Sequence, residues 1–497
     1  MQFFSVTLRF SLILAAAVSL LLVGCSQSSS PDNKDTETVQ APVAEDSGIR
    51  ETPTDYHRIA IKLNGYPTDT VFLGGHYGDQ KLLKDTSYVK DGMVVFEGDQ
   101  PLDGGIYMAV LPPDNRYFEF IVSEDQDFSL TTDTADMIRA MKVEGSLENE
   151  VFYENLKFID TKGRAITAAQ EQMKTLQPGS EAFTATQEQL KQLSDEMNQS
   201  RVELTQKYPS FLYAKVITTM RDPEVPENPD PKDSTFAYRY TKAHYLDNID
   251  FSDDRILRTP VFHNKIMFYM DRLTYQMPDS LNKSADDILA RARANDDVFQ
   301  YCAITLLNKY AKSKIMGQDA VYVHIVQNVY LTGDAFWSDD EQTKKIIERA
   351  SALAPTLLNQ QAHPITMEDP NGQQQSLYSI QAPYTILYFW DYDCGHCKKV
   401  TPKLAEGYPK YQKQGVALYA VSINGDIDTW KEKIKDYGID IGTNVQDHAR
   451  ATGFDAYYDL RSTPRIFLLD KSKKIVAKQI DVEQLWDLLD RGLKGEL

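Results

Sequence analysis

The chain has 497 residues, with 53 Lys+Arg against 72 Asp+Glu and a formal net charge of −19. With 42% hydrophobic and 11% aromatic residues it can bury real cores, which argues against wholesale disorder, and its length suggests about three domains. The acidity argues against a nucleic-acid binder, because such affinity rests on clustered Lys and Arg, and 4 cysteines are too few to staple a chain this long.

Residues 1–24 read as a secretory signal: Arg9 gives a thin positive start, and Phe10 to Val23 an apolar core too short for a comfortable membrane span. The segment ends Leu22-Val23-Gly24-Cys25. This resembles a bacterial lipobox, which implies that Cys25 is lipidated and becomes the mature N-terminus. Residues 25–54 are rich in Ser, Asp, Thr, Glu and Pro without periodicity, and read as a flexible tether. The folded part is therefore expected in the cell envelope, lipid-anchored to a membrane and facing an oxidising periplasmic space.

Residues 55–145 show short strands. Ile59, Ile61 and Leu63 alternate, as do Ile106, Met108 and Val110, and Asp91-Gly92 reads as a hairpin turn. A small all-β sandwich is expected, with His57 and His76 as surface residues. Residues 146–357 read as an α-helical domain. Phe183, Leu190, Met197 and Leu204 recur every seventh position, and Ile166 and Met173 share that spacing across the Pro178-Gly179 break, which predicts a long helical hairpin. The proline-rich stretch Asp222 to Asp230 reads as a loop, and Cys302 falls on an apolar helix face as a core thiol.

Residues 358–497 alternate strands with helices, which predicts an α/β sheet. Thr385–Trp390, Val416–Ile423, Arg465–Asp470 and Lys474–Gln479 read as strands. Lys398–Tyr411, Ile427–Tyr437 and Val482–Leu489 read as helices.

The chemical signal is Trp390-Asp391-Tyr392-Asp393-Cys394-Gly395-His396-Cys397. At a helix start, Cys394 would lie beside unpaired backbone N–H groups that stabilise a thiolate, with Cys397 one turn on to close a small disulfide ring. A zinc site would want a second ligand pair, which the sequence lacks. Haem attachment would need His directly after the second cysteine, where Lys398 stands. A purely structural disulfide would have no need of the helix-opening position. The reading is a redox dithiol, with neither metal nor other cofactor.

These residues resemble the thioredoxin fold, specifically the TlpA/ResA-like thiol–disulfide oxidoreductases. The strand Ile386–Trp390 runs into Cys394-Gly395-His396-Cys397, Pro402 lies where thioredoxins carry a kinking proline, and Ser462-Thr463-Pro464 precedes a strand as the family's cis-proline loop does. The long stretch between Cys394 and Pro464 leaves room for that branch's strand–helix insertion. Upstream, the β and helical domains resemble those of some bacterial lipoproteins of this type. The resemblance implies Cys394 as nucleophile, Cys397 as resolving thiol and His396 as tuner, with Trp390, Gly395, Thr463 and Pro464 docking the substrate. It also implies protein thiols and disulfides as partners and recycling by a membrane or thiol-protein electron donor. Two positions depart from it: Tyr388 stands where classical thioredoxins bury a carboxylate, and Val400 where some periplasmic relatives carry Glu. CGHC itself resembles disulfide isomerases, whereas the domain branch resembles reductases. The reading from a different class is an envelope scaffold or binding lipoprotein whose upstream domains carry the main role.

Overall fold

The computed structural model describes residues 55–447 and 452–496; the signal segment, the tether and Cys25 lie outside them. The described residues divide at Lys265 and Ile266 into two compact units, inside the stretch 146–357 read as one helical domain.

In the first unit, two four-stranded sheets form the β domain. One has the order β4 (Met93–Gly98), β1 (His57–Asn64), β7 (Asp127–Asp133), β8 (Lys142–Glu144); the other runs β3 (Gln80–Tyr88), β2 (Thr70–Tyr77), β5 (Gly105–Leu111), β6 (Arg116–Val122). Alternating residues such as Ile59, Ile61, Phe96, Phe120 and Leu130 fill the core. The Asp91-Gly92 turn forms, with both residues at positive φ and a bridge between Lys90 and Met93. It closes a two-residue hairpin, with Lys90 and Met93 exchanging backbone hydrogen bonds at 2.7 and 3.0 Å, and beyond it β3 and β4 continue into different sheets. His76, expected at the surface, is buried because Glu119 on β6 meets its Nε2 at 3.0 Å.

The long hairpin is α1 (Leu147–Thr175) and α2 (Glu181–Lys207), each opened by a serine cap, Ser146 and Ser180. Its heptad residues Phe183, Leu190 and Met197 are half-buried, as a two-helix seam allows, and Leu204 is buried. The base of α1 is bonded to the sandwich: the Asn149 amide accepts from Ile121 N and donates to Ile121 O, at 2.8 and 2.6 Å, and the Tyr153 hydroxyl donates to Glu119 O at 2.6 Å. These bonds group the hairpin with the β domain. The unit continues through α3 (Leu212–Met220) and α4 (Phe236–His244) into α5 (Phe262–Asp271).

The second unit holds α6 (Pro278–Ala292), α7 (Asp296–Ala311), α8 (Asp319–Ile325) and α9 (Asp340–Leu353), followed by the α/β domain. Cys302 on α7 is 1% exposed, and burial pushes its thiol far up. The α/β domain is a seven-stranded sheet, ordered β10 (Gln374–Ser376), β9 (Thr366–Glu368), β13 (Thr443–Gln446), β12 (Ala417–Ser422), β11 (Tyr384–Trp390), β14 (Arg465–Asp470), β15 (Ile475–Lys478). Its helices are α10 (Cys397–Gln412), α11 (Ile427–Asp436) and α12 (Val482–Gly492). Strand β11 is central, parallel to β12 and antiparallel to β14. Both its faces are buried: Ile386, Tyr388 and Trp390 pack with α10, α11 and α12, while Leu387 and Phe389 pack with Tyr458 and Phe467. The outer edge of β15 is covered by residues 359–362, which bond to Ile475 and Lys473. The buried Lys478 ammonium also pairs there with Asp319 at the start of α8.

Candidate active site

The site forms where β11 ends and α10 begins. Asp391 organises the loop between them. Its carboxylate accepts from Asp393 N at 2.7 Å and its carbonyl from Cys394 N at 3.3 Å. Its own N–H donates to Cys397 Sγ at 3.4 Å. The helix opens without a side-chain cap; its first turn is anchored by Lys398 N to Cys394 O at 3.1 Å and Val400 N to His396 O at 2.9 Å.

Sheet register brings the second half of the site alongside. Phe389 pairs with Arg465, so the segment before β14 lies beside the loop after β11. There the Thr463–Pro464 bond is cis, and the Cys394 thiol donates to Thr463 O at 3.3 Å. The two motif halves, far apart in sequence, thus meet at one sulfur.

The two thiols are electrostatically unlike. Partial burial alone would raise Cys394, but the backbone N–H groups of Cys397 and His396, the Thr463 side chain and the Cys397 thiol outweigh it, and Cys394 lies below the ordinary thiol range. Cys397 is 0% exposed. Burial pushes it up to about 11, against the pull of the Asp391 N–H, and the neighbouring Cys394 adds to the rise. One thiol is partly exposed and readily ionised; the other is enclosed and stays protonated.

His396 and Gly395 sit exposed at the tip of the loop. The His396 imidazole has no hydrogen-bond partner among the described residues; it is the residue's backbone N–H that acts on Cys394. A side chain at Gly395 would meet nothing within 4 Å, so the tip is open to an approaching chain. Trp390, expected to dock substrate, is 0% exposed. As the last residue of a strand buried on both faces, it packs edge-to-face with Tyr437 beneath the motif and offers no docking surface.

Tyr388 explains the first departure from the classical pattern. It is 0% exposed and hydrogen-bonded to Thr401 at 2.8 Å, one turn beyond Cys397. Burial pushes its phenol far up, so a neutral hydroxyl pair occupies this part of the core. Val400 is half-buried against the same cluster. Sequence reasoning missed the Tyr388–Thr401 pair and a carboxylate, Asp459, which is 8% exposed and paired with Arg461 on one side of Thr463-Pro464 and Arg465 on the other. The alternation of Asp459, Arg461 and Arg465 about the Thr-Pro step was the available signal.

A model of the AhpC/TSA family matches residues 358–478. Models of two domains of unknown function, DUF4369 and DUF5106, match residues 57–152 and 183–353. The thiol–disulfide oxidoreductase ResA of Bacillus thuringiensis (strain Al Hakam) is 28% identical over 137 residues, 28% of this chain and 77% of that protein. ResA of Bacillus subtilis (strain 168) is 32% identical over 110 residues, 22% of this chain and 60% of that protein. Among solved structures, a domain of a possible thiol-disulfide isomerase from Cytophaga hutchinsonii ATCC 33406 is 40% identical and covers 29% of this chain and 97% of its own, with a TM-score of 0.27.

Proposed function

We propose, from the premise that the C-terminal domain is a thioredoxin-like thiol–disulfide oxidoreductase domain similar to ResA, that the whole protein is a lipid-anchored, periplasm-facing enzyme that exchanges disulfides with envelope proteins through Cys394 and Cys397. The observation that carries the exchange chemistry is the half-exposed Cys394 thiol, 3.3 Å from Thr463 O, beside the fully buried Cys397, with the first thiol lowered and the second raised to about 11.

The exchange follows from that asymmetry. The Cys394 thiolate attacks one sulfur of a substrate disulfide; a Cys394–substrate bond forms, the substrate disulfide breaks, and the first substrate sulfur leaves as thiolate. Cys397, deprotonated late because it is buried, then attacks the Cys394 sulfur. The Cys394–Cys397 disulfide forms, the second substrate thiolate leaves, and two electrons have passed from the dithiol to the substrate. Run backwards, the same steps oxidise a dithiol. An extended substrate segment lies along the backbone at Thr463 and Pro464, beside the open tip at Gly395.

The anchor is supported by Leu22-Val23-Gly24-Cys25 following a short apolar core. Recycling draws on a membrane or thiol-protein electron donor. The reading is tested by titrating the purified chain in glutathione buffers. It predicts one two-electron transition between the references of about −270 mV for thioredoxin and about −180 mV for protein disulfide isomerase, nearer the latter. Absence of a reversible Cys394–Cys397 disulfide would contradict it.

A further inference from the structure

Asp459 is a charged group in a place where charge is costly. It is 8% exposed, and a buried carboxylate left without partners is strongly destabilising. Its partners are specific. Arg461 grips it with two bonds, Nε to Oδ1 at 2.6 Å and Nη2 to Oδ2 at 3.0 Å, and Arg465 Nη2 reaches Oδ2 at 3.5 Å. Burial alone would raise the carboxyl, but the guanidinium of Arg461, with Arg465 behind it, holds it below the usual carboxylate range. It is therefore charged at neutral pH.

The two arginines are the shoulders of one loop. Between them lie Ser462, Thr463 and Pro464, and the Thr463 carbonyl receives the Cys394 thiol at 3.3 Å. Arg465 is also the first residue of β14 and pairs with Phe389, next to the strand end that leads into the dithiol. A single carboxylate thus ties both ends of the loop that faces the nucleophile. Bidentate Arg–carboxylate pairs fix geometry as well as adding energy.

We propose that Asp459 is a positioning residue which, through Arg461 and Arg465, holds the Ser462–Pro464 loop at the distance from Cys394 that an extended, disulfide-bearing polypeptide needs in order to dock. It touches neither sulfur and acts through the loop. The proposal rests on the exchange activity proposed above and assigns to this loop the docking of polypeptide disulfides, which a small disulfide does not need.

The test uses the full chain and two disulfides: a peptide long enough to lie along the loop, and 5,5′-dithiobis(2-nitrobenzoate), which reaches Cys394 without docking. In Asp459→Asn the rate constant with the peptide should fall at least about tenfold while that with the small disulfide changes by less than about twofold, because misplacement affects only the substrate that must be oriented. The loss should appear in the half-saturating peptide concentration rather than in the limiting rate. Arg461→Gln removes the same grip from a side chain that is 54% exposed. It should show the same split with some loss of thermal stability, because Asp459 then keeps only Arg465 at 3.5 Å; the double change with Asp459→Asn leaves no buried carboxylate unpaired and decides the matter if either single variant fails to fold. Equal change with both disulfides in a folded variant, or no change with either, would overturn the proposal. A wild-type chain inert toward both would overturn the exchange reading itself and the proposal with it, whereas an active wild type without the split overturns the proposal alone.

Discussion

At the scale of single residues the chemistry depends on which sulfur ionises. Cys394 lies below the ordinary value and Cys397 is raised to about 11. Only the thiolate reacts, and it accumulates as pH rises through the thiol pKa. Alkylation of Cys397→Ala should therefore climb with pH through a midpoint below 9.0, the unperturbed value. Alkylation of Cys394→Ala should still be climbing above pH 9, and mass spectrometry of iodoacetamide adducts reads both; coincident profiles would contradict the asymmetry. His396 enters through its backbone. Proline at that position has no N–H to give to Cys394, and a hydrogen bond to a charged group is worth about 1.5–3 kcal/mol. His396→Pro should thus raise the Cys394 pKa and lower the reduction potential by about 30 mV or more, whereas His396→Ala, which keeps the N–H, should move both less. Equal shifts in the two variants would return the tuning to the imidazole. The dithiol was legible in the Cys-x-x-Cys spacing, and the Thr463-Pro464 step in its resemblance to the family's loop before a strand. The Tyr388–Thr401 pair and the burial of Trp390 were not, since they depend on which face of β11 each side chain takes once both faces are covered.

Among the elements, α10 carries two prolines, Pro402 and Pro409, and lies against α12 at Gly407. A methyl group there would stand 2.6 Å from Trp486 Cζ2, and Trp486 is stacked on Tyr411 with centroids 4.8 Å apart. Gly407→Ala gains about 1 kcal/mol of helix propensity. It should nevertheless destabilise, because overpacking against a stacked ring costs about 1–3 kcal/mol. Urea unfolding measures the balance, and a stabilised variant would mean that Trp486 moves aside freely. Strand β15 shows the opposite case, a charge inside the fold. Removing Lys478 leaves Asp319 buried and unpaired, so Lys478→Met should cost about 3–5 kcal/mol while the double change with Asp319→Leu recovers most of it. A single variant as stable as wild type would show the pair to be idle. The elements of the α/β domain follow from alternation and helical periodicity to within a residue or two at most ends. Strand β13 does not, because Thr443–Gln446 is only four residues, with Val445 alone apolar among them. Asn444 spends its amide on Ile439 O at 2.8 Å, a contact that no hydropathy pattern records.

For the whole molecule the sequence suggested three folded regions in a row, and the structure groups them in two units divided at Lys265 and Ile266. Specific polar contacts mark that grouping. Asn149 and Tyr153 bond α1 to the β domain, while Asp319 pairs with Lys478 of the seven-stranded sheet; hydrophobic periodicity marks helices but not what they pack against. The proposed lipid anchor, Cys25, lies outside the described residues. Cys25→Ser should release the folded chain from the membrane fraction and leave dithiol chemistry intact; unlipidated protein that still pellets after a salt wash would contradict a single anchor. Residues 57–152 and 183–353, matched by domains of unknown function, make up much of the chain, so the central claim is that the small dithiol is nonetheless what engages partners. The most direct measurement is trapping with the full chain in cells that produce it. Cys397→Ser should accumulate mixed disulfides between Cys394 and protein partners, identified by mass spectrometry and lost on reduction, because the resolving thiol is gone. Cys394→Ser should trap none. Equal trapping by both variants, or none by either, would contradict the account.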